Sequence, residues 1–138
     1  MKKYLVFIVL FVLVLSACGG AAVADPPADL ADGPLTLGPS VDVATVNAIK
    51  NRDDVLLIDV REQWEYDEKH IPNITLIPLG DIPARMSELP TDKEIVLTCR
   101  SGNRSGQAAE FLRQQGFENV HNMEGGIVAW EAAGNPVD

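Results

Sequence analysis

Cysteine and histidine are both scarce in this chain. Among 138 residues, only Cys18 and Cys99 carry thiols and only His70 and His121 carry imidazoles. A disulfide-dense scaffold and a four-cysteine zinc site are therefore excluded, and a histidine-rich metal site lacks ligands. Basic residues are few as well: 11 Lys and Arg stand against 20 Asp and Glu, for a formal net charge of −9. That balance opposes nucleic-acid binding, which requires a basic footprint. The longest apolar run falls short of the roughly 18 residues that a membrane-spanning helix needs. Internal repeats are absent. What the chain does have is 46% hydrophobic residues, enough to bury a core, at a length suited to one domain.

Residues 1–17 read as an export signal. Lys2 and Lys3 form a positive start, and Tyr4 to Leu15 is an apolar run of twelve residues. That length fits the hydrophobic region of a secretory signal. Leu15-Ser16-Ala17-Cys18 follows. It resembles a bacterial lipobox, in which the cysteine is lipidated and becomes the first residue of the mature protein. The expected product is an extracytoplasmic lipoprotein, held at the cell membrane by lipid on Cys18. Residues 18–35 are then expected to form a flexible tether. Gly19 to Leu35 contains no basic residue and is mostly Ala, Gly, Pro and Asp, with too little apolar surface to offset the entropy of ordering. The folded domain is expected over residues 36–138.

Beyond Thr36 the pattern changes. Ser40 is placed to cap a helix over 41–50, with Val43, Val46 and Ile49 on one side. Val55 to Val60 is almost continuously apolar, as in a strand buried on both faces of a parallel sheet. Ile74 to Ile77, Glu94 to Thr98 and Val120 to Met123 read as further strands. Helices are predicted over 81–89, 105–115 and 127–133. In the second of these, Ala108, Ala109, Phe111 and Leu112 face inward, and Gly116 stands where a left-handed residue ends a helix. Strands alternating with helices give an α/β domain with a mostly parallel central sheet. Sites in such sheets lie beyond the carboxyl ends of strands. That rule singles out Asp59-Val60-Arg61 and the segment from Cys99 onward.

The Cys99 segment reads Cys99-Arg100-Ser101-Gly102-Asn103-Arg104-Ser105. A cysteine ends a buried strand, a short polar and basic loop follows, and a helix begins. The helix amino terminus carries about half a positive charge. Backbone N–H groups of the loop can turn inward as an anion nest, for which Gly102 and Asn103 supply conformational freedom. Arg100 and Arg104 add two cations. Each of these favours thiolate over thiol, and a thiolate is a ready nucleophile. A buried core cysteine would leave the arginines and the Gly-Asn turn unexplained.

Three blocks of sequence together resemble the single-domain rhodaneses, a sulfurtransferase family. Ile58-Asp59-Val60-Arg61-Glu62, with Trp64-Glu65-Tyr66 and His70-Ile71-Pro72, is similar to the family's first signature. The Cys99 to Ser105 segment is similar to its active-site loop. Met123-Glu124-Gly125-Gly126, with Trp130, Gly134 and Pro136-Val137, is similar to its C-terminal signature. The resemblance covers residues 36–138. It implies a rhodanese-like α/β fold, with a mostly parallel five-stranded sheet flanked by helices on both faces. It also implies that Cys99 takes sulfane sulfur from a small anionic donor such as thiosulfate, holds it as a persulfide and yields it to cyanide or a thiol. No metal or organic cofactor is implied. Lys69 and Asn73 depart from the family, which often has Gly at both places, and this puts the turn around His70 in question.

The resemblance further implies roles. Cys99 is the nucleophile. The backbone of Arg100, Ser101, Gly102, Asn103 and Arg104 surrounds its charge, with Ser105 completing the loop. The Arg104 side chain closes the ring electrostatically, and Arg100 at the mouth attracts the donor. Four residues separate Cys99 from Arg104, one fewer than in the related phosphatases and arsenate reductases. The smaller ring favours a sulfur atom over a tetrahedral oxyanion. Asp59 and Arg61 either line the pocket or form an ion pair that holds strand ends, the second being favoured. Trp64 walls the entrance. A different class of function also fits: a membrane-tethered persulfide carrier or anion-binding module with little turnover of its own.

Overall fold

The run from Val55 to Val60 offers no polar face to water, and the fold uses both of its faces. A computed structural model describes Leu30 and residues 33–138. The export signal and Cys18 lie outside the described residues. Five strands form one sheet: β1 (Ser40–Val41), β2 (Val55–Asp59), β3 (Thr75–Leu76), β4 (Glu94–Thr98) and β5 (Val120–Met123). Their spatial order is β1-β5-β4-β2-β3, and every pairing is parallel. Five helices accompany them: α1 (Val43–Ile49), α2 (Gln63–Glu68), α3 (Ile82–Arg85), α4 (Asn103–Gln114) and α5 (Gly126–Ala132).

Strand alternation sorts the core into two halves. Ile58, Val60, Ile95, Leu97 and Cys99 face Ile82 of α3 and Ala108, Ala109 and Leu112 of α4. Val55, Leu57 and Val96 face Val46 and Ile49 of α1 and Ile127 and Trp130 of α5. A period of two along β2 and β4 thus feeds both layers, so the central strands need apolar residues at every position. Trp130 is fully buried, and its indole N–H donates to the Pro136 carbonyl at 2.8 Å.

The element boundaries have local causes. Ser40 is not the cap of α1. It lies in edge strand β1 opposite Asn122, and the Asp42 side chain caps the helix by accepting from Thr45 N–H at 2.7 Å. Asp is as good an N-cap as Ser, and moving the cap frees Val41 to bury in the sheet. The helix predicted over 81–89 is broken into 3₁₀ turns at Leu79–Asp81 and Met86–Glu88 around the single turn of α3. Pro83 has no N–H to return to Leu79, so a continuous helix cannot run through the first of these turns. Ile82 and Leu89 are nonetheless buried. The α4 helix begins two residues earlier than predicted. It ends as the sequence suggests: Gly116 takes a φ of 96°, Gly116 N–H bonds to Arg113 O, and Phe117 N–H bonds to Leu112 O.

Packing also begins upstream of Thr36. Leu30 and Leu35 rest against the second core layer, and the Arg52 guanidinium donates to the Leu30 and Gly33 carbonyls at 2.9 Å each.

One contact fixes the carboxyl end of the sheet. A Cβ on Gly126 would lie 2.4 Å from the Cys99 carbonyl oxygen and 2.5 Å from the Arg100 carbonyl carbon, and Gly126 already has a φ of 59°. Gly126→Ala is expected to cost at least about 2 kcal/mol in a urea titration, since backbone must move. Gly80→Ala, where an added methyl meets nothing within 4 Å, should stay within about 0.5 kcal/mol of the parent.

Candidate active site

Cys99 follows β4 directly, and its loop is held from outside by α5. Ile127 N–H donates to the Cys99 carbonyl at 2.8 Å, and Val128 N–H donates to the Arg100 carbonyl at 3.1 Å. With those carbonyls engaged outward, the chain turns at Gly102, whose φ of 92° is left-handed. Gly102 N–H then points back at the sulfur, 3.1 Å from Cys99 Sγ. Gly102 is also the residue that precedes α4, so the turn and the helix start coincide. Asn103 is already helical, and the conformational freedom expected of it is not used; Gly102 alone supplies it.

Cys99 is 1% exposed. It receives the Ser105 hydroxyl at 3.3 Å as well as Gly102 N–H. Burial pushes the Cys99 thiol up, but the Ser105 hydroxyl and the N–H groups of Ser105, Ser101 and Gly102 outweigh it and hold the thiol below its ordinary value. The strongest stabilisers are thus hydrogen bonds from the loop and first turn of α4, and not the two arginines that the sequence brings forward. Ser105 is completely buried, which keeps its hydroxyl out of competition with water.

Arg104 has a different partner. Its guanidinium makes a two-pronged ion pair with Glu65 of α2, at 2.6 Å from Nη1 to Oε2 and 2.7 Å from Nη2 to Oε1. Glu65 Oε2 also accepts the Glu62 N–H at 3.2 Å. The Arg104 hydrogen bonds, reinforced by Glu62 N–H against the opposing effect of burial, bring the Glu65 carboxyl down to about 2. Sequence reasoning missed Glu65 as a site residue. The available signal was its place three residues after Glu62, the spacing of a helix-capping carboxylate, next to a strand end that already mattered.

Asp59 and Arg61 form a buried ion pair, with Arg61 Nη2 2.7 Å from Asp59 Oδ2. Arg61 Nη2 also donates to the Lys69 carbonyl at 2.8 Å. The pair therefore ties the end of β2 to the end of α2, and does not join two strand ends. Arg61 also borders a pocket of about 310 Å3 with Trp64, Glu65, Arg100, Val128 and Glu131. Trp64 and Val128 are the two large apolar side chains most exposed among the described residues, and both stand on this pocket. Arg100 is exposed and has no ion-pair partner among the described residues. His70 stacks on Tyr66 with ring centroids 3.8 Å apart, and its Nδ1 lies 2.9 Å from the Tyr66 carbonyl. Asn73 takes a φ of 63°, a left-handed turn that asparagine tolerates in place of glycine.

An open, all-parallel sheet with a hydrogen-bonded cysteine in a loop leading into a helix defines an α/β domain with a sulfur held by donors at its carboxyl edge. The family model for the rhodanese-like domain matches residues 42–133, and the chain belongs to that family. It is 45% identical over 89 residues to a sulfurtransferase of Allochromatium vinosum, covering 64% of this chain and 83% of that protein. It is 36% identical over 93 residues to the thiosulfate sulfurtransferase GlpE of Pseudoalteromonas translucida, covering 67% and 89%. A crystal structure of a rhodanese-related protein from Thermoplasma volcanium superposes with a TM-score of 0.66 at 35% identity, covering 73% of this chain and 98% of that one. The fold is rhodanese-like, and the family relationship supports transferase activity.

Ser105→Ala removes one of the donors to the sulfur. It should shift the pH profile of iodoacetamide alkylation upward and slow alkylation at neutral pH severalfold, because less of the thiol is ionised. An unchanged profile would show that the hydroxyl does not support the thiolate.

Proposed function

We propose that the protein is a sulfurtransferase that carries sulfane sulfur on Cys99. The observation that supports this most is the pair of donors, Gly102 N–H and Ser105 Oγ–H, converging on one sulfur at a strand end. The same donors that stabilise a thiolate also stabilise the terminal charge of a persulfide. With thiosulfate, the Cys99 thiolate attacks the sulfane sulfur, the S–S bond of the donor breaks, and sulfite leaves with the electron pair. Cyanide then attacks the outer sulfur of the persulfide, thiocyanate leaves, and the thiolate returns. A thiol acceptor does the same and becomes a persulfide. The cycle is a ping-pong reaction with a covalent intermediate, and it calls for no metal or organic cofactor. Arg100, with no ion-pair partner among the described residues, lines the pocket and attracts the anionic donor. Trp64 and Val128 form the apolar wall over which acceptors approach.

Cys99→Ser is expected to abolish thiosulfate-dependent transfer to cyanide while leaving the circular dichroism spectrum unchanged. In the unsubstituted protein, thiosulfate should add the mass of one sulfur, and cyanide should remove it. Persistent transfer by the serine variant would refute the reading. A domain that loads sulfur but does not turn over with cyanide or small thiols would be a persulfide carrier.

The reading includes the location. Residues 1–17 serve as a lipoprotein signal, Cys18 carries the lipid, and residues 18–35 lead to the domain outside the cytoplasm. An acidic chain gains nothing from anionic head groups, so acyl chains hold it, at about 0.8 kcal/mol per buried methylene. Cys18→Ala should move the protein from the membrane pellet to the soluble fraction on cell lysis. Retention in the pellet would show that something other than lipid holds it.

A further inference from the structure

The cations near Cys99 are more numerous than the positive charge they make available. Arg61 is paired with Asp59, Lys69 with Glu131 at 2.8 Å, and Arg104 with Glu65. The pocket beside the loop carries Arg61, Lys69 and Arg100 against Glu65, Glu68 and Glu131. The formal charge of its lining is therefore zero. Arg104 is the decisive member. It is the second residue of α4, and the Cys99 charge is one of the influences that hold its guanidinium above the ordinary value. Both of its terminal nitrogens are committed to a carboxylate whose side chain is only 10% exposed. A bidentate guanidinium–carboxylate pair has no net charge, and its field falls off faster than that of a lone cation.

We propose that Glu65 is a specificity-determining positioning residue. By holding Arg104 in a two-pronged ion pair, it withholds that charge from the sulfur site and weakens the grip on doubly charged donors relative to singly charged ones. The assignment rests on the sulfurtransferase reading and deepens it by naming the donor class: sulfane-sulfur compounds of low charge, with an organic group that Trp64 and Val128 can cover, in preference to inorganic dianions. The reasoning is Coulombic. A dianion gains twice what a monoanion gains from each added positive charge. A pair that cancels such a charge therefore discriminates by charge, whatever its effect on the nucleophile.

The test compares thiosulfate, a dianion, with benzenethiosulfonate, a monoanion. The thiolate attacks the terminal sulfur of either donor, releasing sulfite from the first and benzenesulfinate from the second. Both reactions leave the same Cys99 persulfide, so a change in thiolate reactivity enters both rates alike. At low ionic strength, Glu65→Gln should raise kcat/KM for thiosulfate about tenfold relative to the parent and that for benzenethiosulfonate about threefold, the exponents following the charges. The ratio of the two then rises about threefold, and added salt should erase the gain. Glu65→Gln with Arg104→Gln restores neutrality and should return the ratio to that of the parent. If Glu65→Gln fails to fold, Arg104→Gln alone carries the test: it leaves the carboxylate unpaired, and the ratio should fall. A merely structural bridge would lower both rates together and leave the ratio where it was, in any of the three variants, and that result overturns the proposal. Absence of transfer from both donors in the unsubstituted protein would instead remove the sulfurtransferase reading itself.

Discussion

The carboxyl edge of the sheet depends on a backbone contact that no side chain could replace. Two N–H groups at the start of α5, on Ile127 and Val128, hold the carbonyls of Cys99 and Arg100. Gly126 makes this possible, because only a residue without Cβ fits against the loop there. Once the carbonyls are drawn outward, the N–H of Gly102 is left to face the sulfur. The polarity of the loop is thus imposed from the end of the chain, through a helix that buries Trp130 in the opposite core layer. The Cys99 loop and the last helix form one mechanical unit, although 27 positions separate Cys99 from Gly126.

Much of the fold was legible because its central strands are apolar at nearly every position. Glu94 to Thr98 coincides with β4, and the run from Val55 to Val60 contains β2. Such strands have few alternatives in a chain this short. Edges were less legible. β1 is two residues long, and nothing in Ser40-Val41 distinguishes an edge strand from the approach to a helix until the partner strand is known. The stretch from 79 to 89 also kept its buried anchors while losing its helical continuity at Pro83.

The site divides in the same way. Cys99, Gly102 and Ser105 could be found because a strand end, a glycine and a helix start follow in seven residues. For Glu65 only the capping position after Glu62 was legible; its pairing was not, because the partner lies 39 positions away and the pairing is a product of the fold. Its effect also reverses a simple count of charges. Two arginines follow Cys99 within five positions, yet one is neutralised by a carboxylate from α2. Sulfur acidity is supported chiefly by neutral donors, an arrangement that lets the loop stabilise one small negative charge without becoming a general anion trap.

The way the chain enters the domain has a bearing on orientation. Arg52, which grips the carbonyls of Leu30 and Gly33, lies three residues before β2, and Leu35 shares a pocket lining with Glu94 at the start of β4 and Asn119 just ahead of β5. The described chain therefore arrives at the amino ends of the strands, and Cys99 stands at the far pole. A domain held by its leading segment therefore has the Cys99 sulfur directed away from the point of attachment.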